Sequence, residues 1–358
     1  MFKKKAIALS LAVLLIVGTL TGCNTGNTLF KYGDAQVSVT EAEVYARIQQ
    51  YSGESQYGSY LGENMWSIEQ NSGETLEDTV KDNVIAQIKA VKVLNAHASD
   101  AKVSLTKAEK KAAKENAKTF AEGDVGKKIM ELSGADQELI DTIYEESTLA
   151  SKVRQSVMDK VDTNVSDEDA RVRGVYQLVF STKKQDANGK MVSLSDKEKK
   201  KQLAKANKAY RALKKGADIT ALAQQYDIKD STDGSYAKGK SQGGEKFEAA
   251  VEKLKVGEFT KVIACDDGYY IGKLTSSMDK EKTEENKQTV LQERQQEAYQ
   301  KQYDKWAKDW EKDWDADKDI NTKLWDKVTF KYGELTKDAT TSTSTTQATT
   351  AATTETKK

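Results

Sequence analysis

Apolar residues recur at three- and four-residue intervals through much of the first half of the chain, which is the spacing of one face of an α-helix. A short extended segment precedes this pattern. Thr40 with Glu43, and Thr106 with Glu109, have the spacing of capping boxes, in which a hydroxyl and a carboxylate cap the start of a helix. We therefore predict a mainly helical region over residues 28–163.

The pattern changes after Asn164, where the run VRGVYQLVFST predicts a strand. A helix from about Ser195 to Lys215 ends at Gly216, a residue type that often terminates helices. Two shorter helices follow, and the runs EFTKVIA and GYYIGKL predict two closing strands. The order β-α-α-α-β-β within residues 164–278 is typical of a compact α+β domain.

Helical spacing returns in the C-terminal segment 279–336, where three tryptophans fall on one helical stripe: Trp306, Trp310 and Trp314. We expect this stripe to be part of a core. The alternative is that the stripe forms the wall of a crevice that binds other polypeptides. The run VTFKYGELT repeats the FKYG found near the N-terminus, so we predict strands of one region formed from both chain ends. Residues 337–358 are mostly Thr, Ser and Ala, which predicts a disordered tail.

The first residues have the pattern of an export signal. Three lysines precede an apolar run from Ala6 to about Val17, which is shorter than a typical membrane-spanning helix. The run ends in Leu-Thr-Gly-Cys, which resembles the bacterial lipobox, a pattern whose cysteine becomes the first residue and bears a lipid. A plain signal peptide that contains a cysteine is the alternative. We predict a lipoprotein signal over 1–22, a lipid on Cys23, and the N-terminal helical region over 23–163.

Composition narrows the kinds of ligand. Lysine plus arginine and aspartate plus glutamate both number 56, so no charge excess indicates a nucleic-acid partner. His97 is the only histidine, and Cys265 is the only cysteine left once Cys23 is lipidated. These residues cannot form a usual zinc site, and we expect neither a metal nor a cofactor. The oligomeric state stays open, with a homodimer as one alternative.

The middle domain resembles the parvulin-type peptidyl-prolyl isomerases over about Asp167–Leu274. The segments that bear the resemblance are ARVRGVYQLVFS, LKKGADITALAQQY, FEAAVEKLKVGEFTKVI and DGYYIGKL. Together with the lipobox and the flanking helical segments, the chain resembles the PrsA-type foldase lipoproteins. This resemblance implies an α+β fold in which a parvulin-like domain is inserted into a helical, chaperone-like region formed by the N- and C-terminal segments.

The resemblance also implies candidate catalytic positions. The family usually has a histidine in its first strand and another in its last strand, and Tyr176 and Tyr270 stand at these positions. Phe247 matches a phenylalanine of the family's site, while Asp227 and Asp230 are alternatives for its loop aspartate. The family's methionine four residues before that phenylalanine is a glycine here.

Prolyl isomerisation is a bond rotation with a barrier of roughly 18–20 kcal/mol, and it requires no nucleophile. A site accelerates the rotation by binding the twisted amide more tightly than the planar one. Tyrosine hydroxyls both donate and accept hydrogen bonds, so Tyr176 and Tyr270 could replace part of a histidine network. The structural alternative is that these aromatic residues only pack in the strands.

From these observations we expect a foldase on the outer face of the bacterial cytoplasmic membrane, anchored through Cys23. Its partners would be unfolded or newly exported polypeptides, and peptidyl-prolyl isomerisation would be its activity. A non-catalytic holdase, whose parvulin-like domain only binds polypeptides, is the alternative. A solute-binding lipoprotein is disfavoured because nothing resembles two alternating βαβ lobes.

Overall fold

The chain divides into two compact units, one built from both chain ends and one from the middle. In the computed structural model, which describes residues 26–70, 73–187, 189–228 and 233–336, the middle unit is Arg154–Gln302. The two-ended unit comprises Met1–Val153 and Tyr303–Lys358. Both boundaries fall inside long helices, whereas the sequence pattern suggested boundaries near 164 and 278.

The two-ended unit contains a β-hairpin followed by helices. Its elements are β1 (Thr28–Tyr32), β2 (Ala35–Ser38), α1 (Val39–Leu61), a 3-10 turn (Met65–Ser67), α2 (Leu76–Ala96), α3 (Lys107–Glu122), α4 (Asp124–Ser133), α5 (Gln137–Met158), α9 (Lys280–Glu311), α10 (Ala316–Asp319) and α11 (Thr322–Trp325). The helices α5 and α9 extend across the boundaries between units.

The middle unit is built on a four-stranded antiparallel sheet of order β6-β3-β8-β7. Its elements are β3 (Val172–Ser181), β4 (Lys183–Gln185), β5 (Met191–Ser193), α6 (Asp196–Leu213), α7 (Ile219–Gln225), β6 (Asp233–Ala237), α8 (Gly244–Val251), β7 (Ile263–Ala264) and β8 (Gly268–Ser276). Helices α6 and α7 cover one face of the sheet, and α8 covers the other. The predicted α+β fold class, with the sheet domain inserted between helical segments, is confirmed.

Helix starts follow the predicted capping signatures with one exception. The box of Thr106 and Glu109 begins α3 as predicted. Helix α1, however, is capped by Ser38, whose hydroxyl accepts a hydrogen bond from the backbone of Glu41 at 3.0 Å. The predicted cap at Thr40 is therefore wrong. Ser38 ends β2, and the helix begins at the next residue, two residues earlier than the Thr40 signature suggested.

The predicted C-terminal strand is absent from the described residues. The first FKYG belongs to β1, which pairs with β2, whereas residues 328–336 contain no strand. Side chains of α1 bind this segment instead. Arg47 donates to the carbonyl of Thr329 at 3.0 Å, and Gln50 donates to that of Lys331 at 3.0 Å. Because these polar side chains satisfy the backbone, the segment needs no sheet partner.

The tryptophan stripe packs at the margin of the core of the two-ended unit. Trp310 and Trp314 meet the ring of Tyr32 edge to face, with centroids 5.3 and 5.4 Å apart, and Trp306 stacks on His97. Within the described residues, no helix has both the length and the apolar character needed to cross a membrane. The predicted signal over 1–22, the lipidation position Cys23 and the tail over 337–358 lie outside the described residues.

Candidate functional site

The pairing of β3 with β8 decides how the two candidate tyrosines are oriented. Tyr176 lies opposite Lys273, and Val179 lies opposite Tyr270. Directly paired residues of antiparallel strands project to the same face, and successive residues of a strand alternate between faces. Tyr176 and Tyr270 therefore project from opposite faces of the sheet.

Tyr176 lies on the face that α6 and α7 cover. Its half-buried ring packs against the cluster that contains Leu178, Phe180 and Ile271. Phe247, in contrast, belongs to the cluster on the other face, together with Tyr270. The sheet separates Tyr176 from both of them, so the structure does not bring the three aromatic candidates together.

Phe247 is fully buried between α8 and the sheet, with no exposed surface. Its ring centroid is 5.4 Å from that of Tyr270. Two glycines make this position possible. A Cβ atom on Gly272 would lie 2.6 Å from the Cζ atom of Phe247, and one on Gly243 would lie 2.7 Å from its Cβ atom. Larger residues at either position would displace the ring.

Tyr270 is also fully buried, and its hydroxyl donates to the Asp267 carboxylate, 2.9 Å from Oδ1 and 3.0 Å from Oδ2. The tyrosine ring thus fills the core, while its polar end reaches Asp267 at the turn before β8. A polypeptide at the surface would contact Asp267 rather than Tyr270 itself.

A cleft of about 450 Å³ opens beside this pair of aromatic residues. It is lined by Lys183, Gln242, Gly243, Gly244, Glu245, Lys246, Cys265, Asp266 and Asp267. The lining combines carboxylates with two lysines, so it suits a polar backbone better than an apolar ring. Among the described residues, no group of three or more His, Cys, Asp or Glu side chains could hold a metal ion.

Cys265 in this cleft is not set up as a nucleophile. Burial, together with the charges of Asp267 and Asp266, raises the pKa of its thiol to about 11. Because the thiolate is the reactive form, the thiol is inert at neutral pH. This agrees with a role as a small apolar residue beside the strand.

The aspartate candidate Asp227 does not line the cleft. Asp227 is exposed just after α7, with a positive φ of 50°, and α7 packs on the Tyr176 side of the sheet. Asp230 lies outside the described residues. Of the four candidate catalytic residues that the structure describes, it thus brings together only Phe247 and Tyr270.

Sequence reasoning did not single out Asp266 and Asp267, which line the cleft. The backbone of Cys265 donates to the carbonyl of Gly268 at 2.9 Å, which closes a tight turn around the two aspartates. The sequence feature that could have indicated these two aspartates is a pair of acidic residues before a glycine at the start of a strand, which is a typical composition for a turn. That signal predicts the turn, although it does not predict that the turn borders a cleft.

Comparison with known proteins identifies the middle unit. Residues 169–285 match the model of the PPIC-type PPIASE domain. The curated "Foldase protein PrsA" of Caldanaerobacter subterraneus subsp. tengcongensis is 24% identical over 284 residues, which are 75% of this chain and 81% of the relative. The predicted resemblance to PrsA-type foldases with a parvulin-type domain is therefore confirmed.

Two solved structures show low similarity to this chain. A peptidylprolyl isomerase (PrsA) from Bacillus cereus is 23% identical and covers 74% of this chain and 98% of its own, with a TM-score of 0.38. A foldase protein (PrsA) from Lactococcus lactis is 13% identical and covers 85% of this chain and 99% of its own, with a TM-score of 0.29.

Proposed function

We propose that this chain is a lipid-anchored foldase that binds exported polypeptides on the outer face of the cytoplasmic membrane while they fold. The PPIC-type match over residues 169–285 and the PrsA relative support the foldase. The lipobox-like Leu20–Cys23 supports the anchor, since a signal of this kind directs export and lipid attachment. The family match also makes peptidyl-prolyl isomerisation the expected reaction of the middle unit.

For isomerisation, the cleft beside Asp267 is the best candidate site. A site accelerates rotation of the prolyl bond when it removes water from the amide and places hydrogen-bond donors so that they bind the twisted amide, in which resonance is lost. In this chain Tyr270 would act indirectly, because its hydroxyl binds and orients the Asp267 carboxylate. Phe247 would support the cleft from below.

The geometry favours the alternative function, in which the middle unit binds polypeptides without isomerising them. The observation behind it is that Phe247 and Tyr270 have no exposed surface, while Tyr176 lies on the other face of the sheet. An apolar ring that receives proline has to be accessible to it. Of the two functions, client binding is the one that the geometry supports best, and the cleft would then hold a polypeptide backbone.

A second surface for client polypeptides lies in the two-ended unit. Trp310 and Trp314 line a cleft of about 390 Å³, together with the acidic residues Asp34, Asp309 and Asp313 among others. Aromatic rings next to carboxylates suit segments that combine apolar and basic side chains. Trp306 makes a more structural contribution through its stacking on His97.

Two assays on the purified protein separate the functions. A protease-coupled assay on Xaa-Pro peptides measures isomerisation, and suppression of aggregation of an unfolded secreted protein measures binding. Tyr270→Phe removes the hydroxyl that orients Asp267, and Tyr176→Phe is its matched control on the opposite face.

An isomerase would show a rate above background that Tyr270→Phe lowers and Tyr176→Phe leaves unchanged. A holdase would suppress aggregation with no isomerase rate in any variant. If the folded protein neither isomerises nor suppresses aggregation, the foldase proposal is wrong.

A further inference from the structure

Helix α6 in the middle unit has two sharply different sides. Ala206, Ala209 and Leu213 are buried against the sheet. On the opposite side of the helix five exposed cations form a single row, which we term the cationic face: Lys197, Lys200, Lys201, Lys208 and Arg211. At 1.5 Å per residue, the row from Lys197 to Arg211 is about 21 Å long.

The cationic face is not neutralised by neighbouring carboxylates. In the described part of the chain, none of its five side chains is within ion-pair distance of an acidic residue. The only acidic residues of α6 are Asp196 and Glu198, and Glu198 is engaged by the Ser195 cap and by Lys184 at 3.1 Å. The chain as a whole has equal numbers of acidic and basic residues, so this imbalance is local.

Helix α3 shows how the same chain arranges a lysine-rich helix that is merely solvated. Three of its exposed lysines each have an acidic partner: Lys111 with Glu115 at 3.6 Å, Lys114 with Glu145 at 3.8 Å, and Lys118 with Glu122 at 3.6 Å. The two pairs within α3, Lys111 with Glu115 and Lys118 with Glu122, stabilise the helix, and all three pairs offset positive charge on its surface. The cationic face of α6 has no counterpart to them.

Helix stability does not explain the cationic face. Lys197 is three and four residues from Lys200 and Lys201, and like charges at these spacings repel. Lys197 in the first turn also opposes the helix dipole, whose positive end is the N-terminus, whereas Arg211 in the last turn is favourably placed. The three lysines at the N-terminal end of the face therefore carry an energetic cost within the folded chain, which an external anion would relieve.

We propose that the cationic face of α6 binds a linear polyanion whose backbone carries phosphate groups. A single row of cations about 21 Å long matches a chain of anions lying along the helix axis. Ala204 is the one apolar residue within the row and is small, so the face lacks the large apolar side chains by which a helix enters a lipid surface. Charge complementarity thus favours the polymer over the bilayer. The inference does not depend on isomerase or holdase activity.

The test uses the chain without its first 23 residues, so that no lipid anchor contributes to binding. Inorganic polyphosphate is the probe, and its affinity is measured at several salt concentrations. The variant K197Q/K201Q/K208Q neutralises three cations of the face, and K111Q/K114Q/K118Q removes the same charge from α3. Circular dichroism checks that both variants keep their helices.

Each phosphate contact contributes about −0.7 to the slope of log affinity against log salt for a single-stranded polyanion, so the loss of three contacts reduces the slope by about 2. That corresponds to roughly a hundredfold weaker binding at about 0.1 M salt for the α6 variant. The α3 variant is expected to bind like the original chain.

Three results would overturn the proposal. The first is no binding of polyphosphate, and the second is an equal loss in both variants, which would indicate binding by charge anywhere on the surface. In the third, vesicles of phosphatidylglycerol bind more tightly than polyphosphate and compete with it, which would assign the face to a membrane surface.

Discussion

Replacement of Phe247 by alanine tests whether the middle unit keeps this ring in its core or offers it to a bound polypeptide. The ring is fully buried, contacts Tyr270, and is enclosed by Gly243 and Gly272. Gly243 lies at the start of α8 and Gly272 lies within β8, so the regular backbone of these elements holds both glycines in place. The surroundings therefore have little room to collapse into the space that Phe247→Ala would leave.

The expected cost follows from two contributions. Loss of the buried ring removes about 1.5–3 kcal/mol of transfer free energy. A residual cavity of about 100 Å³ adds roughly 2 kcal/mol at about 24 cal/mol per Å³. We therefore expect the free energy of unfolding of the middle unit to fall by about 3.5–5 kcal/mol, which is within the usual range for Phe→Ala in a core. For a unit of this size, the melting temperature falls by roughly 10 °C.

The assay has to be specific for the middle unit. All five tryptophans of the chain lie in the two-ended unit, so tryptophan fluorescence does not report on the sheet: Trp66, Trp306, Trp310, Trp314 and Trp325. Hydrogen-exchange mass spectrometry of peptides from β3 and β8 reports the opening of the middle unit directly. Tryptophan fluorescence then serves as the internal control and is expected to stay unchanged.

Val256→Ala provides the matched control, because Val256 is 58% exposed and its truncation should cost less than about 0.5 kcal/mol. If Phe247→Ala does not fold, Phe247→Leu keeps most of the volume and should lose a smaller but measurable stability. A loss below about 1 kcal/mol for Phe247→Ala would refute the burial argument. It would mean that the ring is available to line an open pocket.

Three further predictions concern other parts of the molecule. The buried Glu54 accepts hydrogen bonds from Gln50, Trp66, Gly333 and Thr336, and Glu54→Ala leaves these donors without their acceptor, so it should destabilise the two-ended unit by about 3–5 kcal/mol in denaturant titrations followed by tryptophan fluorescence, and an unchanged midpoint would contradict this. The Lys152 ammonium and the Thr106 cap hold the pKa of Glu109 at about 2, below its ordinary 4.5. The contribution of Glu109 to stability is therefore present above pH 4.5 and lost as the pH falls towards 2, so the protection of the α3 amides against hydrogen exchange, relative to the intrinsic chemical rate at each pH, should fall over that range more in the original chain than in Glu109→Gln. Because burial and the Asp267 charge raise the pKa of the Cys265 thiol to about 11, its alkylation at pH 8 should be slow, and Asp267→Asn should accelerate it.

Much of the local structure could be predicted because its determinants lie within one helical turn. The box of Thr106 and Glu109 begins α3, and the Ser195–Gly216 pattern encloses α6 almost to the residue. The same reasoning failed at α1, since Ser38 with Glu41 has the same spacing as Thr40 with Glu43. The two overlapping capping signatures are equally good locally, so the position at which β2 ends decides which of them caps the helix.

The C-terminal segment shows a second limit. Its run VTFKYGELT has the composition of a strand, but residues 328–336 form none. The groups that hold this segment, including Arg47, Gln50 and Glu54, lie about 280 residues earlier on one side of α1. No local pattern indicates that side chains of a distant helix will satisfy the backbone in place of a neighbouring strand.

The sequence by itself determined the α+β class, the insertion of a parvulin-like domain between helical segments, and the positions of Tyr176 and Tyr270 in two different strands. Only the tertiary structure decided that these tyrosines project from opposite faces of the sheet. The physical reason is register. The alternation of side chains along one strand shows which of its own residues share a face of the sheet. Which residues of a second strand share that face depends on which residues pair, here Tyr176 with Lys273 and Val179 with Tyr270. A shift of one residue in that pairing would have placed both hydroxyls on the same face.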